Sequence, residues 1–157
     1  MISIKNMKLA AVIAIASLSV SCSSIKSFFG GGNSLESIAI ECTADCNSRS
    51  AVAMDIVFVM EKDIGSLLPD VSLEWFSKRG EYLAHFRDQV SIMSIEIPPG
   101  QSILEAPLPK DSSDAVTILV YAKYVSAKGQ FVADISQYSQ LQLRLEKDSY
   151  RILELKE

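Results

Sequence analysis

The 157-residue sequence predicts a mainly β protein, a β-sandwich of about seven to eight strands with one inserted helical segment. Two observations lead to this fold class. From residue 35 onward, short stretches rich in β-branched and aromatic residues follow one another with turn residues between them. Only residues 63–85 place their apolar side chains three and four positions apart, as a helix does. About 120 residues are then available for one hydrophobic core, which is ample for a single domain.

Seven stretches carry the strand pattern. The segment Val52–Met60 is apolar on both faces apart from Asp55, which predicts a central strand. The segment Ile103–Leu108 is expected at a sheet edge, because Pro107 and Pro109 limit its pairing. The other predicted strands are Ser37–Glu41, Val90–Ile97, Val116–Tyr124, Ser139–Glu146 and Tyr150–Leu155. Turns are expected at residues 98–100 and 147–148.

The single helical segment is expected to cover part of the sheets. Its periodic apolar residues are Leu67, Leu68, Val71, Trp75 and Phe76. Asp70 or Ser72 can cap its start, and Gly80 can end it. We expect Trp75 and Phe76 to pack the helix onto the edge of a sheet. A ligand-binding role for these two rings is the alternative interpretation.

The first 21 residues have the pattern of a secretory signal peptide. Lys5 and Lys8 precede an apolar run, Leu9–Val20, whose twelve residues are too few for a membrane span of about 20. Met7 is an alternative start of the chain. Removing residues 1–21 leaves 13 basic and 19 acidic residues, so the predicted mature net charge is −6.

Ser21 and Cys22 follow this run and resemble a bacterial lipobox, although Ser19 stands where that pattern usually has Leu. In this interpretation Cys22 is acylated and becomes the first residue of the mature protein. The alternative is an ordinary signal peptide cut elsewhere, with Cys22 a plain thiol. Ser23, rather than Asp, follows the cysteine, which favours the outer membrane. Apart from this covalent lipid, no cofactor is expected.

A flexible tether is predicted between Cys22 and the domain. Residues 22–34 contain several serines and the run Gly30–Gly32, a composition typical of flexible linkers. The glycines do not form a phosphate-binding loop, because no Gly-Lys-Ser/Thr follows them. The predicted organisation is therefore a lipoprotein signal peptide at 1–21, a lipidated tether at 22–34 and a β-sandwich domain at 35–157.

Cys42 and Cys46 are a candidate disulfide. An exported protein meets an oxidising compartment, and these two cysteines form an even remainder when Cys22 carries lipid. A zinc site would need two more ligands, and His85 is the only histidine. No metal site is therefore expected. The three residues between the cysteines also differ from the Cys-x-x-Cys spacing of redox enzymes.

The charge balance and the residue types argue against two broad functions. With 15 basic against 19 acidic residues, a net charge of −4, the chain lacks the basic surface that nucleic-acid binding requires. No catalytic constellation is visible, so an enzyme is not expected. An exported hydrolase using His85 and a carboxylate is the alternative, and it requires His85 to lie in a cleft.

The order of these elements resembles the outer-membrane lipoproteins of bacterial type VI secretion systems, the TssJ (VasD-like) family. A cysteine after a signal peptide leads to a short strand, a polar loop, an apolar strand and a helix. A strand ending in a Pro-Gly turn, a Val- and Tyr-rich strand and a final hairpin follow. The segments that carry the resemblance are Val52–Val59, Leu68, Trp75-Phe76, Ile97–Gln101 and Val116–Tyr124.

The resemblance implies a transthyretin-like or immunoglobulin-like β-sandwich with an added helix, held on the periplasmic face of the outer membrane by lipid on Cys22. It implies binding to the periplasmic domain of the inner-membrane protein TssM, within a TssJ–TssM–TssL-type complex that anchors the contractile tail. In the family, the loop between the first two strands contacts TssM. The matching partner-binding residues here are Thr43, Ala44, Asp45, Asn47, Ser48, Arg49 and Ser50.

The cysteines that bracket this loop depart from the common family pattern. A Cys42–Cys46 disulfide would rigidify the loop and reduce the entropic cost of binding. The alternative interpretation is a solvated hairpin loop without a partner. A lipoprotein of another envelope assembly, such as a pilotin or a surface-binding β-sandwich module, is the alternative function, and the neighbouring genes would distinguish the two.

Overall fold

The computed structural model describes residues 32–155, which form two four-stranded β-sheets and one long helix. The predicted signal peptide, the Cys22 anchor and most of the tether lie outside the described residues. The strands are β1 (Ser37–Cys42), β2 (Val52–Val59), β3 (Val90–Ile97), β4 (Ser102–Ile103), β5 (Thr117–Lys123), β6 (Ala133–Asp134), β7 (Gln140–Leu145) and β8 (Tyr150–Glu154). The helical segments are α1 (Cys46–Arg49) and α2 (Ser72–His85).

The two sheets differ in strand direction. The first sheet has the order β4-β1-β7-β8, and its two central strands, β1 and β7, are parallel. The second sheet has the order β3-β2-β5-β6 and is antiparallel throughout. Strand β2 is therefore central, as its two apolar faces predicted.

The main core lies between the two sheets and confirms the predicted β-sandwich. In β7, Leu141, Leu143 and Leu145 are fully buried, while the residues between them are partly exposed. They share one apolar cluster with Ile56 and Val120 of the second sheet. Residues of alternate parity on β2 and β5 point the other way, into a second apolar cluster. The second sheet is therefore covered on both faces, which explains why β2 lacks the polar alternation of β7.

Helix α2 covers the outer face of the second sheet. Trp75 is fully buried, and its ring stacks on Tyr121 of β5 at a centroid distance of 4.6 Å. Val57 and Val59 of β2 belong to the same cluster, and Phe76 packs against it while remaining partly exposed. The expectation that the helix packs at a sheet edge is therefore wrong, because its rings lie on the face of two central strands.

The helix boundaries also differ from those predicted. Residues 63–71 contain a 3-10 turn at Gly65–Leu67, and α2 begins at Ser72 and continues through Gly80 to His85. No side chain caps its first turn. The Ser72 hydroxyl instead accepts a hydrogen bond of 3.1 Å from the Ala122 N–H of β5. Gly80 therefore does not end the helix, and neither proposed cap residue acts as one.

The edge strands are shorter than the sequence pattern indicates. The predicted strand Ile103–Leu108 is reduced to β4, two residues that pair with β1. Pro107 has no backbone N–H to continue the ladder, and the chain leaves the sheet after Ala106 donates to Ile38 O at 2.9 Å. Strand β6, also two residues long, carries too few residues for a pattern to predict.

The loops gather at two opposite ends of the sandwich. At one end, called the tether end here, the described chain begins, and the Asn33 N–H donates to Ala115 O just before β5. Strands β1 and β7 run side by side from this end to Cys42 and Leu145. The opposite end, called the loop end, carries residues 43–51, 98–101, 124–132 and 146–149. The six residues of β1 span about 20 Å, which separates the two ends.

Candidate functional site

The predicted partner-binding residues lie together in one loop at the loop end. This site loop, residues 43–50, joins β1 to β2 and contains the short segment α1. Ala44, Asp45, Ser48, Arg49 and Ser50 are exposed, and Thr43 is half-buried. Asn47 alone among them is buried, with 3% of its surface exposed. The structure therefore presents most of the predicted residues on one surface and places Asn47 beneath it.

A disulfide closes the base of the site loop. Cys42 is the last residue of β1, Cys46 is the first of α1, and their Cα atoms are 5.6 Å apart. Both residues are buried within the main core cluster. The bond therefore fixes the beginning of the loop to the hydrophobic core, and it leaves the residues after Cys46 to form the exposed turn.

Three consecutive residues of the site loop adopt a left-handed backbone. Their φ angles are 46° at Asn47, 56° at Ser48 and 66° at Arg49. Among these three residue types only Asn adopts this region readily, and for Ser and Arg the conformation costs roughly 1–2 kcal/mol each. A conformation of this kind persists only where surrounding contacts impose it, and such strain concentrates at functional sites.

Backbone contacts with the β7–β8 turn hold this conformation. The N–H groups of Asn47 and Ser48 donate to the carbonyls of Glu146 and Lys147 at 3.0 and 3.1 Å. These donors would otherwise be unpaired where the loop leaves the helical pattern. The β7–β8 turn therefore serves as a support for the site loop.

The Asn47 side chain links the loop to the second sheet. Its Nδ2 donates to Ala51 O at 2.9 Å, and its Oδ1 accepts from the Val125 N–H at 2.8 Å. Both functions of the amide are used inside the protein. Asn47 thus positions the loop, while the exposed side chains around it are available to a partner.

Arg49 borders a shallow depression on the surface of the loop. The cavity has a volume of about 220 Å³ and is lined by Asp45, Ser48, Arg49 and Lys147. Within residues 32–155, no ion pair forms with Arg49 or Lys147. The depression is lined by polar and charged residues and is open to solvent, so it suits a side chain of a protein partner better than a sequestered substrate. Lys147 was missed by sequence reasoning because only the hydrogen-bonded pairing of two turns brings it here.

His85 does not lie in a cleft. It is the exposed last residue of α2, and its ring meets Phe86 edge-on at 4.6 Å. No hydrogen bond or ion pair to its imidazole occurs in the described part of the chain. This exposure contradicts a hydrolase mechanism built on His85. No group of three or more potential metal-ligating side chains occurs among residues 32–155 either.

A buried charge beneath α2 was not predicted. Asp55 of β2 accepts hydrogen bonds from Trp75 Nε1 at 2.8 Å, from Arg79 Nε at 2.6 Å and from the Ser94 hydroxyl at 2.6 Å. Only 3% of the Asp55 side chain is exposed, against 37% for Arg79. With its acceptor oxygens satisfied in this way, the carboxylate acts as an attachment point for α2 on the sheet.

These features define a class of protein: a two-sheet β-sandwich with a helix on one outer face and a braced polar loop at one end. No family model and no curated protein matches the chain. Among solved structures, it is similar to the type VI secretion lipoprotein TssJ1 from Pseudomonas aeruginosa, with a TM-score of 0.59 and 9% identity over 77% of this chain and 95% of that one.

Two further solved structures share the fold. One is Serratia marcescens Lip, a membrane-bound component of the type VI secretion system, with a TM-score of 0.55 and 12% identity over 80% of this chain and 99% of Lip. The other is a chain in a structure described as the TssM C-terminal domain from EAEC, with a TM-score of 0.56 and 15% identity over 74% and 98% of the two chains. At these identities the likeness establishes a common fold, which agrees with the fold that the sequence resemblance implied.

No helix within residues 32–155 is both long and apolar enough to cross a membrane.

Proposed function

We propose that this chain is an outer-membrane lipoprotein of a type VI secretion system. In this proposal lipid on Cys22 holds the domain at the periplasmic face, and the site loop binds the periplasmic domain of the inner-membrane TssM component within a TssJ–TssM–TssL-type complex. The fold shared with TssJ1 and Lip supports the assignment to this secretion system. The signal-peptide pattern and the cysteine that follows it support the anchor.

The observation that carries the proposal is the position of the site loop opposite the tether end. The described chain begins beside Ala115, whereas the site loop follows Cys42, about 20 Å away at the far end of β1. An anchor at Cys22, ten residues before Gly32, would therefore attach to the end that faces away from the site loop. In that arrangement the loop projects into the periplasm, where the soluble domain of an inner-membrane protein can reach it.

The rigidity of the site loop also supports a role in binding. A loop that is disordered before binding loses conformational entropy when it meets its partner, at roughly 1–2 kcal/mol for each residue that becomes fixed. Here the disulfide at Cys46, the amide of Asn47 and the left-handed turn fix the loop in the free protein. The exposed side chains of Ser48 and Arg49 are thus presented in one arrangement.

A binding measurement with matched arginine variants tests the proposed contact. The full chain, purified in detergent, is titrated with the periplasmic domain of the TssM-type protein from the same genome. Arg49→Ala is expected to weaken binding about tenfold, because arginine is one of the residues that most often carry a large share of the binding energy of an interface. Arg87→Ala is the control, since Arg87 is also exposed but lies beyond α2, away from the loop end. Absence of binding by the folded wild-type chain would refute the proposal.

Metabolic labelling with palmitate tests the anchor separately. Wild-type cells should incorporate label into the chain and retain it in the outer-membrane fraction. Cys22→Ser should lose both, whereas Cys42→Ala/Cys46→Ala should keep the label. Label that persists in Cys22→Ser would show that the lipid is attached to another residue and would refute the proposed anchor.

A further inference from the structure

Exposed apolar side chains extend from the neighbourhood of the site loop to the start of α2. Seven large hydrophobic residues are exposed in the described part of the chain, and four of them lie at the loop end or next to it. This group, called the apolar rim here, consists of Val71, Leu73, Val125 and Phe131, with exposed fractions of 41%, 55%, 74% and 43%. Clusters of this kind on an otherwise soluble domain mark interaction surfaces.

The apolar rim is continuous with the site loop. The backbone N–H of Val125 donates a hydrogen bond to the side chain of Asn47. From there, the Gln130 amide donates to Tyr124 O at 2.9 Å, which brings the chain before Phe131 back toward Val125. Phe131 forms a β-bridge with Val71. These three contacts together connect the polar loop to the start of α2.

The site loop alone is too small for a stable protein complex. It offers five exposed residues, while a specific interface uses about 20–30 residues on each side and buries about 800 Å² per partner. Such interfaces combine an apolar centre with polar residues around it. Arg49 and its neighbours supply only the polar part, so the footprint has to extend onto adjacent apolar surface. The apolar rim is that surface.

We infer that the apolar rim forms the second half of the docking surface for the same partner. The inference rests on the proposed function and names where the partner's footprint continues: from Arg49 across Val125 to Phe131 and the first turn of α2. The partner surface is a folded protein domain that offers apolar side chains opposite Val125 and Leu73 and polar groups opposite the site loop. A protein surface is favoured over a lipid surface, because the apolar rim lies at the end of the domain opposite to the one where the tether enters.

Three leucine and valine variants of the full chain test this surface. Val125→Asp and Leu73→Asp each place a negative charge in the proposed footprint. Leu73 lies in the first turn of α2, where an aspartate interacts favourably with the helix dipole, so Leu73→Asp should retain the helix. Leu104→Asp is the control, because Leu104 is 89% exposed beside the edge strand β4. We expect the two rim variants to weaken binding of the TssM-type domain at least tenfold, and the control to stay within twofold. Circular dichroism melts should confirm that all three are folded.

The outcomes separate this inference from the proposed function. If Arg49→Ala weakens binding and both rim variants bind like the wild type, the rim lies outside the footprint and the inference is wrong, while the proposed function stands. If the wild-type chain does not bind at all, the proposed function is refuted, and the inference that rests on it is refuted with it. Sedimentation of the free chain supplies a further check: a dimer that Val125→Asp abolishes without changing partner affinity would assign the rim to a second copy of this chain and overturn the inference.

Discussion

The Oδ1 atom of Asn47 accepts a 2.8 Å hydrogen bond from the backbone N–H of Val125, which joins the turn after β1 to the residues that follow β5. Asn47 lies in the loop that follows β1 of the first sheet, and Val125 follows β5 of the second sheet. One buried amide therefore fixes the position of the site loop relative to Val125, the rim residue that follows β5. This relationship leads to the first prediction.

Asn47→Ala should destabilise the protein and weaken binding together. The substitution removes the hydrogen bonds of the buried amide, and the Val125 N–H and Ala51 O lose this partner, at a cost of about 1–3 kcal/mol in the free energy of unfolding. Urea denaturation measures the loss. Ser48→Ala is the control, since Ser48 has the same left-handed backbone and an exposed side chain. Equal stability of the two variants would contradict the role given to Asn47.

Removal of the disulfide should loosen the site loop. In the chain-entropy estimate, a bond that closes a five-residue ring stabilises the folded state by about 2 kcal/mol. Cys42→Ala/Cys46→Ala should therefore unfold at lower urea concentration, and it should bind the TssM-type domain more weakly because the loop has to be ordered on binding. When reductant is added during urea denaturation, the wild type should unfold at a lower urea concentration. The midpoint of the double variant should not change. Free thiols at both positions in the native protein, detected by alkylation and mass spectrometry, would contradict the assignment.

Asp55→Ala should release α2 from the second sheet. Trp75 would lose the partner of its buried indole N–H, and Arg79 would lose its counter-charge, which together cost roughly 2–4 kcal/mol. Trp75 fluorescence during urea unfolding reports the change directly, because the chain has one tryptophan. Lys78→Ala, which breaks only the exposed pair with Glu74, should leave the transition midpoint unchanged. A wild-type-like midpoint for Asp55→Ala would mean that apolar packing alone holds the helix.

Alkaline pH should unfold the protein through its buried tyrosines. Burial raises the pKa of Tyr121 and of Tyr150, whose hydroxyls donate to the carbonyls of Pro69 at 2.9 Å and Phe131 at 3.0 Å. Because the folded pKa lies above the unfolded value of about 10, the folded state holds these protons more tightly. Stability is then fully present below about pH 10 and falls as the pH rises further.

Tyrosinate absorbance and circular dichroism, followed together from about pH 9 upward, check this dependence. Tyr121 and Tyr150 should ionise only as the β-sheet signal disappears. Tyr121→Phe should shift the alkaline transition to higher pH, provided that loss of the hydroxyl does not unfold the chain at neutral pH. Full tyrosinate absorbance with an intact sheet signal would contradict the prediction.

The sandwich could be predicted from the sequence because each long strand carries its own pattern. The alternation of Leu141, Leu143 and Leu145 indicates a strand with one buried face, and the two apolar faces of β2 indicate a strand that is buried on both sides. The end of α2 could not be predicted in the same way. Gly80 costs about 1 kcal/mol in a helix, but packing of Trp75, Tyr82 and Phe86 on both sides of it exceeds that cost.

The candidate site was predicted only in part. The family resemblance indicated the loop after the first strand, and the sequence indicated the pairing of Cys42 and Cys46. The buried position of Asn47 and the approach of Lys147 depend on contacts between residues about 80 to 100 positions apart, which no local pattern encodes. The role of Asp55 is hidden for the same reason, since its donors Trp75 and Ser94 come from two other elements.

Hydrogen–deuterium exchange of the full chain, with and without the periplasmic domain of the TssM-type protein, tests the central claim most directly. The account predicts that binding slows exchange of backbone amides in residues 43–50 and 124–131 and leaves residues 104–116, beside the tether end, unchanged. Protection confined to 104–116, or no protection at 43–50 in a complex that forms, would contradict the claim that the site loop is the docking surface.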